Sequence, residues 1–211
     1  MIVRLSKALL VLMVGVFALM VGIHNIIDYD TNFAFVQHVM SMDTTFPNSA
    51  LRWRAITSPT LHHAGYGLII ALELVTGILC FWGALRLWFS RRAAAAYFNA
   101  SKDFAVAGLI CGFALWFLGF MVIGAEWFQM WQSQTWNGQQ AAFRFVACIG
   151  IILIFVNQPQ SEAKLTSLRR CVNRGFPYGD LNWINTTAKQ LGLNPTLRQR
   201  GRPQPTFTRI P

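Results

Sequence analysis

Four apolar stretches separated by polar segments dominate the chain as far as residue 159. They cover residues 8–27, 62–85, 104–125 and 141–157. A helix needs about 20 mainly apolar residues to cross the hydrocarbon core of a bilayer. Because lipid offers no hydrogen bonds to the backbone, a helix is the natural form for each span. The pattern therefore predicts an all-α integral membrane domain with four transmembrane helices in a bundle.

A shorter amphipathic stretch lies in the segment between the first and second spans, residues 28–61. Phe33, Val36 and Met40 recur there at helical spacing, and the opposite side of the same helix is polar. Such a segment lies in the plane of the membrane surface with its apolar face toward the acyl chains. We therefore expect a short interfacial helix in this loop, ended by Pro47.

Residues 160–211 differ in composition from the four-span part. They hold nine Lys or Arg against two Asp or Glu, whereas residues 1–159 hold nine against six. The segment is rich in proline and has little apolar surface to bury, so most of it should be disordered. A short helix near Trp183–Leu191 is the exception that we expect. The sequence thus predicts a membrane domain at 1–159 and a basic tail at 160–211.

The composition of the whole chain agrees with a membrane protein. Hydrophobic residues make up 54% and charged residues 12% of the 211 positions, against about 45–50% and about 25% in soluble domains. The four cysteines form no C-x-x-C, and no nucleophile elbow, phosphate loop, dinucleotide fingerprint or H-E-x-x-H is present. The sequence gives no residue-level support for an enzyme, a zinc site or a disulfide framework.

Most basic residues fall on one side of the predicted bundle, and only Arg52 and Arg54 lie in the opposite loops, together with Asp28, Asp30, Asp43 and Glu126. The majority precede the first span, separate the second from the third or follow the fourth, and short loops rich in Lys and Arg stay in the cytoplasm. We therefore expect a multi-pass protein with both termini cytoplasmic. The first span should remain uncleaved, because no small-x-small cleavage site follows its apolar core. The basic residues that set this orientation are Arg4, Lys7, Arg86, Arg91, Arg92 and Lys102.

The opposite, outer side carries the most unusual stretch of the chain, EWFQMWQSQTWNGQQAAFRF at 126–145. Its tryptophans suit the headgroup level, where the ring is in apolar surroundings and the N–H reaches water. Its five glutamines are neutral donors and acceptors that suit hydrogen bonding to the 28–61 loop. We expect the two outer loops to pack on each other as a cap that forms the functional face. The candidate residues are Glu126, Trp127, Trp131, Trp136, Asn137, Arg144, His38, Asp43 and Arg52.

Glu73 lies well inside the second span. An ionised acid at the centre of a bilayer costs about 2.5–3.5 kcal/mol on insertion scales, so this side chain should face the bundle interior or be protonated. Arg144, near the start of the fourth span, is the expected charged partner, and Thr76 is a local one. Two interpretations stay open: a buried pair that locks two helices, or a proton relay or ligand contact.

The four histidines, His24, His38, His62 and His63, all lie on or near the outer side. Imidazoles and carboxylates are common ligands of first-row metals, and His24 with His62 or His63 is the pairing that a haem would use. Adjacent His62 and His63 diverge by roughly 100° on a helix and should not bind one ion together. We expect these residues to be polar groups of the cap, with a metal or haem site as the alternative.

Three runs of the chain carry a resemblance to a known family. They are NIIDYDTNFAFVQHVMSMDTTFP at 25–47, RWRAITSP at 52–59 and GAEWFQMWQSQTWNGQQAAFRF at 124–145. With the four-span layout, they resemble a bacterial family of predicted small integral membrane proteins with a domain of unknown function, over residues 1–159. The resemblance implies a topology and a location in the bacterial inner membrane, and it lends no activity to any residue.

The tail resembles an unrelated family. Its run RGFPYGDLNWINTTAKQLGLNPTLRQRGRPQ, at 174–204, is similar to the C-terminal end of the REP-associated tyrosine transposases. The metal motif and catalytic tyrosine of that family lie upstream of this segment and are absent here, so transposition is not implied. The basic groups of the tail should give at most weak, non-specific binding to nucleic acid that weakens with salt.

These observations favour a non-enzymatic accessory or interaction subunit of the membrane that acts through its outer cap. Its expected partners are membrane lipids and either a membrane protein or further copies of the chain. The alternative is a membrane protein that binds a ligand, a metal or haem and works in redox or transport. No cofactor is predicted outside that alternative.

Overall fold

A computed structural model describes residues 1–159, 162–175 and 177–197 of the chain. By its internal contacts the chain divides into two compact units, Met1–Pro159 and Gln160–Pro211. The described residues form helices, turns and loops and no strand, which confirms the predicted all-α class.

The first unit contains four helices that are long and apolar enough to cross a membrane, which confirms the four predicted spans. Each helix extends beyond the apolar stretch that predicts it. In chain order the unit contains α1 (Ile2–Ile27), α2 (Tyr29–Ser41), α3 (Pro59–Ser90), α4 (Ala95–Ala100), α5 (Asp103–Ala114), a π-helical segment (Leu115–Trp127) and α6 (Gln139–Asn157). The third span runs through α4, α5 and the π-helical segment.

The helix α3 is the centre of the bundle, because it packs against both α1 and α5. The neighbouring helices approach α3 closely where a glycine lies on α3 or faces α3 from the neighbour. A Cβ on Gly77 would meet the backbone nitrogen of Leu19 on α1 at 2.9 Å, and a Cβ on Gly108 would meet that of Cys80 on α3 at 2.8 Å. The small residues therefore serve packing within the chain.

The π-helical segment is a departure that the hydrophobic pattern did not predict. The backbone N–H of Phe128 donates to the carbonyl of Ile123 at 3.0 Å, an i→i+5 bond that closes the segment. Such bonds are rare and usually limited to one turn. The side chains after Ala114 therefore leave the 3.6-residue register of α5. In the new register Gly124 and Ala125 are buried and Ile123 is exposed.

Three basic side chains at one end of the bundle, which we call the basic end, are buried instead of solvated. Arg4 donates to carbonyls in the turn that follows α3. Lys7 donates to the carbonyls of Val156 at 3.2 Å and Gln158 at 2.8 Å, and Lys102 donates to the same Gln158 carbonyl at 2.7 Å. The last carbonyls of a helix have no partner within it and attract cations. Lys7 and Lys102 therefore cap the C-terminal end of α6.

The helix α2 is the interfacial helix expected between the first two spans. Its buried face carries Val36 and Val39. It ends at Ser41, six residues before the expected Pro47, because Met42 adopts a left-handed conformation with φ 52°. Met42 is only 1% exposed, so its burial, and not the proline, fixes the end of the helix.

The second unit contains α7 (Glu162–Arg174), α8 (Leu181–Gln190) and α9 (Asn194–Leu197). The helix α8 matches the one expected near Trp183–Leu191, and its N-cap Asp180 accepts a hydrogen bond from the Trp183 backbone at 2.9 Å. The sequence did not predict α7 or α9. The expectation of disorder for residues 160, 161, 176 and 198–211 lies outside the described residues.

Candidate functional site

Two loops at the other end of the bundle pack directly on each other. They comprise residues 28–58 and 126–138. We call them the cap. Glutamine side chains of the second loop accept hydrogen bonds from the first loop, as neutral amides can without the desolvation cost of ions. The pairs that join the loops are Thr44–Ser133 at 2.9 Å, Phe46–Gln132 at 2.9 Å and Ser49–Gln129 at 2.6 Å.

Aromatic contacts join the same two loops. The imidazole of His38 stacks on Trp136 with ring centroids 4.5 Å apart, and its Nδ1 lies 2.6 Å from the Asp43 carboxylate. Edge-to-face pairs join Phe46 to Trp131 and Trp53 to Trp127. Trp53, Trp127 and Trp131 remain 71%, 46% and 44% exposed, so each ring keeps one side open to the membrane or to a partner.

Some of the candidate cap residues stand apart from these contacts. Glu126 and Arg52 are exposed. Asn137 is exposed and accepts a hydrogen bond from the Gln139 backbone at 3.1 Å, at the start of α6. Arg144 is exposed on α6. The structure thus brings together His38, Asp43 and Trp136 but does not gather the whole candidate set into one cluster.

Three of the four histidines make structural contacts at the cap end of the bundle, and the fourth, His24, is exposed on α1. His62 is buried and donates from Nε2 to the carbonyl of Ile56 at 2.6 Å. The His63 ring stacks on Phe33 at 4.1 Å, and its Nδ1 lies 2.9 Å from the Tyr29 hydroxyl. Among the described residues there is no group of three or more His, Cys, Asp or Glu that could hold a metal ion.

Glu73 is the centre of a polar chain inside the bundle. It is 2% exposed, and its Oε2 accepts a hydrogen bond from the Asn25 side chain of α1 at 2.8 Å. The Asn25 Oδ1 in turn accepts from the Asn32 amide of α2 at 2.7 Å. The Tyr66 hydroxyl donates to the Asn25 backbone carbonyl at 3.2 Å. A continuous line of hydrogen bonds therefore leads from exposed Asn32 to buried Glu73.

A cavity of about 240 Å³ lies beside this chain. We call it the Glu73 cavity. It lies between α1, α2, α3, the π-helical segment and α6, and its walls combine polar side chains with aromatic rings. The polar members are Asn25, Asn32, Tyr66 and Glu73, and the aromatic ones besides Tyr66 are Phe35, Trp116, Phe120 and Phe145.

The expected pairing of Glu73 with Arg144 is wrong. Across residues 1–159 the structure gives Glu73 no ion pair, and its hydrogen-bond partner is Asn25. Thr76 is buried one turn along α3 and does not bond to Glu73. The sequence did contain one signal for Asn25, a polar residue before the end of an otherwise apolar span.

A second cavity, of about 370 Å³, lies between α2, α3 and the π-helical segment. Its lining is apolar and includes Met40, Leu68, Leu72, Leu118 and Ile123. It lacks the buried acid and the amides of the Glu73 cavity.

A family model described as "Predicted small integral membrane protein (DUF2165)" matches residues 3–159. The chain belongs to this family. The match confirms the resemblance drawn from the loops and makes the protein an integral membrane protein. No curated protein and no solved structure matches the chain. The family match covers the membrane unit alone, and the likeness of the tail to transposases is not borne out.

Proposed function

We propose that this family member is a non-enzymatic binding protein that holds a small ligand beside Glu73. The observation that carries the proposal is a buried carboxyl group that lines a cavity and has one side-chain hydrogen bond, from Asn25. A carboxylate offers about four lone-pair sites, and burying an acid in a membrane is costly unless it is paired or functional. A ligand in the cavity would supply the missing interactions.

The volume and the lining of the cavity indicate the size of its ligand and favour binding over catalysis. Its volume of about 240 Å³ is below the roughly 300–1,000 Å³ that is usual for pockets of drug-sized ligands, so the ligand has few heavy atoms. Glu73 and Tyr66 are the titratable side chains among the described residues that line it. No nucleophile with an adjacent base stands there, which supports binding or transport over catalysis.

The proposal is tested by ligand-dependent stabilisation of the purified full-length protein in detergent. A filtered small-molecule extract of bacterial cells should raise the unfolding temperature of the wild type, since a ligand at 100 times its Kd contributes about 2.7 kcal/mol. Glu73→Gln keeps the shape and the acceptor oxygen but should lose this response. Asp103→Asn changes an exposed acid and should respond as the wild type does. Equal stabilisation of Glu73→Gln would overturn the proposal.

A second candidate is the accessory role, in which the cap docks another integral membrane protein. The observation in its favour is the row of open rings at Trp53, Trp127 and Trp131, because tryptophan is a favoured anchor at interfaces. Trp131→Ala should then abolish co-purification of the partner while leaving ligand-dependent stabilisation intact. A metal or haem site predicts instead that His38→Ala or His62→Ala removes bound metal or a visible absorption band.

We also propose that the protein lies in the bacterial inner membrane with the cap outside and both termini in the cytoplasm. The cap holds four acids, Asp28, Asp30, Asp43 and Glu126, against two arginines, Arg52 and Arg54, whereas exposed Arg92 lies at the basic end. Short basic loops remain in the cytoplasm during insertion.

A further inference from the structure

We propose that the Glu73 cavity binds a small organic cation, an ammonium group with short alkyl substituents, in exchange for a proton on Glu73. The inference rests on the proposed function and names the chemistry of its ligand. It follows from the combination of one buried carboxyl group with rings from several helices around a single small cavity.

Aromatic rings form the walls of the cavity and are held in place by one another. Trp116 of the π-helical segment lies 5.3 Å from Phe145 of α6, and both contact Phe17, at 5.8 and 4.9 Å between ring centroids. On the cap side Phe35 stacks on Phe120 at 6.2 Å. Ring faces carry partial negative charge and attract ammonium groups, as in the aromatic cages that bind quaternary ammonium ligands. The walls thus favour a cation over an anion.

The charge of Glu73 also favours a cationic ligand. Within residues 1–159 Glu73 has no ion pair, so its charge must be balanced by a bound proton or by a ligand. Glu73 lies near Tyr66 on α3, and the titratable groups that act on Tyr66 from the start of α2 are Asp28 and Tyr29. None of these carries positive charge. The cavity walls from the π-helical segment and α6 present aromatic and aliphatic side chains.

The lining also distinguishes between kinds of cation. A metal ion prefers a shell of several oxygen or nitrogen ligands. Here the two amides, Asn25 and Asn32, are bonded to each other, and most other wall groups are apolar. An alkylammonium presents methyl groups to such walls and its charge to Glu73. When it binds, the Glu73 carboxyl loses its proton to solvent, so that one positive charge replaces another in the cavity.

The test uses the full-length protein in detergent and tetramethylammonium chloride as the probe. Dicyclohexylcarbodiimide, which modifies protonated buried carboxyl groups, should label Glu73 in the wild type, and tetramethylammonium should slow this labelling in a saturable manner. Binding should release up to one proton per protein in weakly buffered solution. Glu73→Gln should show neither the labelling at this position nor the proton release, whereas Asp103→Asn should show both.

Two control solutes test whether the protection requires an organic cation, and not merely ionic strength or a neutral molecule. Sodium chloride at the same ionic strength and neutral tert-butanol should leave the labelling rate unchanged. Equal protection by either one, or no protection by tetramethylammonium, would overturn the organic-cation proposal. The proposed function would survive that result if the cell extract still stabilised the wild type and not Glu73→Gln, and it would fail with the inference if the extract had no Glu73-dependent effect.

The aromatic walls are tested by a pair of variants in the π-helical segment. Phe120 lines the cavity, whereas Phe117 is exposed and does not. Phe120→Leu should weaken tetramethylammonium binding about 2- to 30-fold, the range that one cation–π contact supplies, with the proton release at saturation unchanged. Phe117→Leu should bind as the wild type does. Equal affinity of both variants would show that the rings only pack.

Discussion

At the scale of single residues, Asn25 has the most consequential contacts in the membrane unit. Its side chain donates to Glu73 on α3 and accepts from Asn32 on α2, while its backbone carbonyl accepts from Tyr66. The residue is 5% exposed. Removing it leaves a buried carboxyl without its hydrogen-bond donor, and an unsatisfied buried polar group costs more than the net value of a hydrogen bond.

We therefore expect Asn25→Ala to lower the free energy of unfolding by about 1–3 kcal/mol. Thermal unfolding in detergent would measure the loss. The same substitution in a Glu73→Leu background should cost less, because the acceptor is then absent. Asn48→Ala, at an exposed position of the cap, is the control and should have little effect. Equal losses in the two backgrounds would contradict a direct coupling of Asn25 with Glu73.

At the scale of the elements, the bundle depends on close contacts of α3 with its neighbours. Gly83 shows this most clearly, because a Cβ at that position would overlap the backbone of Ala105 on α5. Backbone atoms cannot move aside as the end of a flexible side chain can. The crossing of α3 and α5 is therefore possible only with glycine at residue 83.

Gly83→Val should accordingly destabilise the protein by about 1–3 kcal/mol or more, as overpacked cores do. Gly67 lies on the same helix with no heavy atom within 4 Å of a Cβ at that position. Gly67→Val should therefore cause no loss of stability and serves as the matched control. Unfolding followed by tryptophan fluorescence would compare the two variants. An equal or larger loss for Gly67→Val than for Gly83→Val would rule out the described crossing.

At the scale of the whole molecule, the two ends of the bundle differ in charge and in construction. The basic end is closed by Arg4, Lys7 and Lys102, which donate to backbone carbonyls. The cap end is closed by side-chain amides, hydroxyls and rings. Under the proposed orientation the same lysines supply positive charge on the cytoplasmic side, so one set of residues serves both stability and topology.

Reporter fusions test this orientation. Fusions after Arg92 and Gln160 should report the cytoplasm, and fusions after Asn48 and Asn137 should report the outer side, because the Lys and Arg residues of the short loops remain inside. Alkaline phosphatase and green fluorescent protein fused at each position give opposite signals. A cytoplasmic Asn137 would be incompatible with the four-span arrangement proposed for the membrane.

The sequence by itself determined the spans, the interfacial helix and the meeting of the loops. Each of these depends on local properties: the length of an apolar stretch, its helical period, or the polarity of the segment between two spans. Glu73 was also found from the sequence, because an acid within an apolar stretch stands out wherever the helix packs. An acid in an apolar stretch requires a partner, a proton or a function, and this requirement is evident before its neighbours are known.

Only the tertiary structure decided what Glu73 meets. Glu73 is near the middle of α3 and Asn25 is near the end of α1, so counting from the span ends would place them at different depths. The helices have different lengths and α3 extends further at the cap end, which brings the two residues level. The π-helical segment then shifts the buried face of the third span, so that Gly124 and Ala125 are buried and Ile123 is exposed. Packing between elements determines how far one helix slides along another and where the helical pitch changes. No local pattern encodes either.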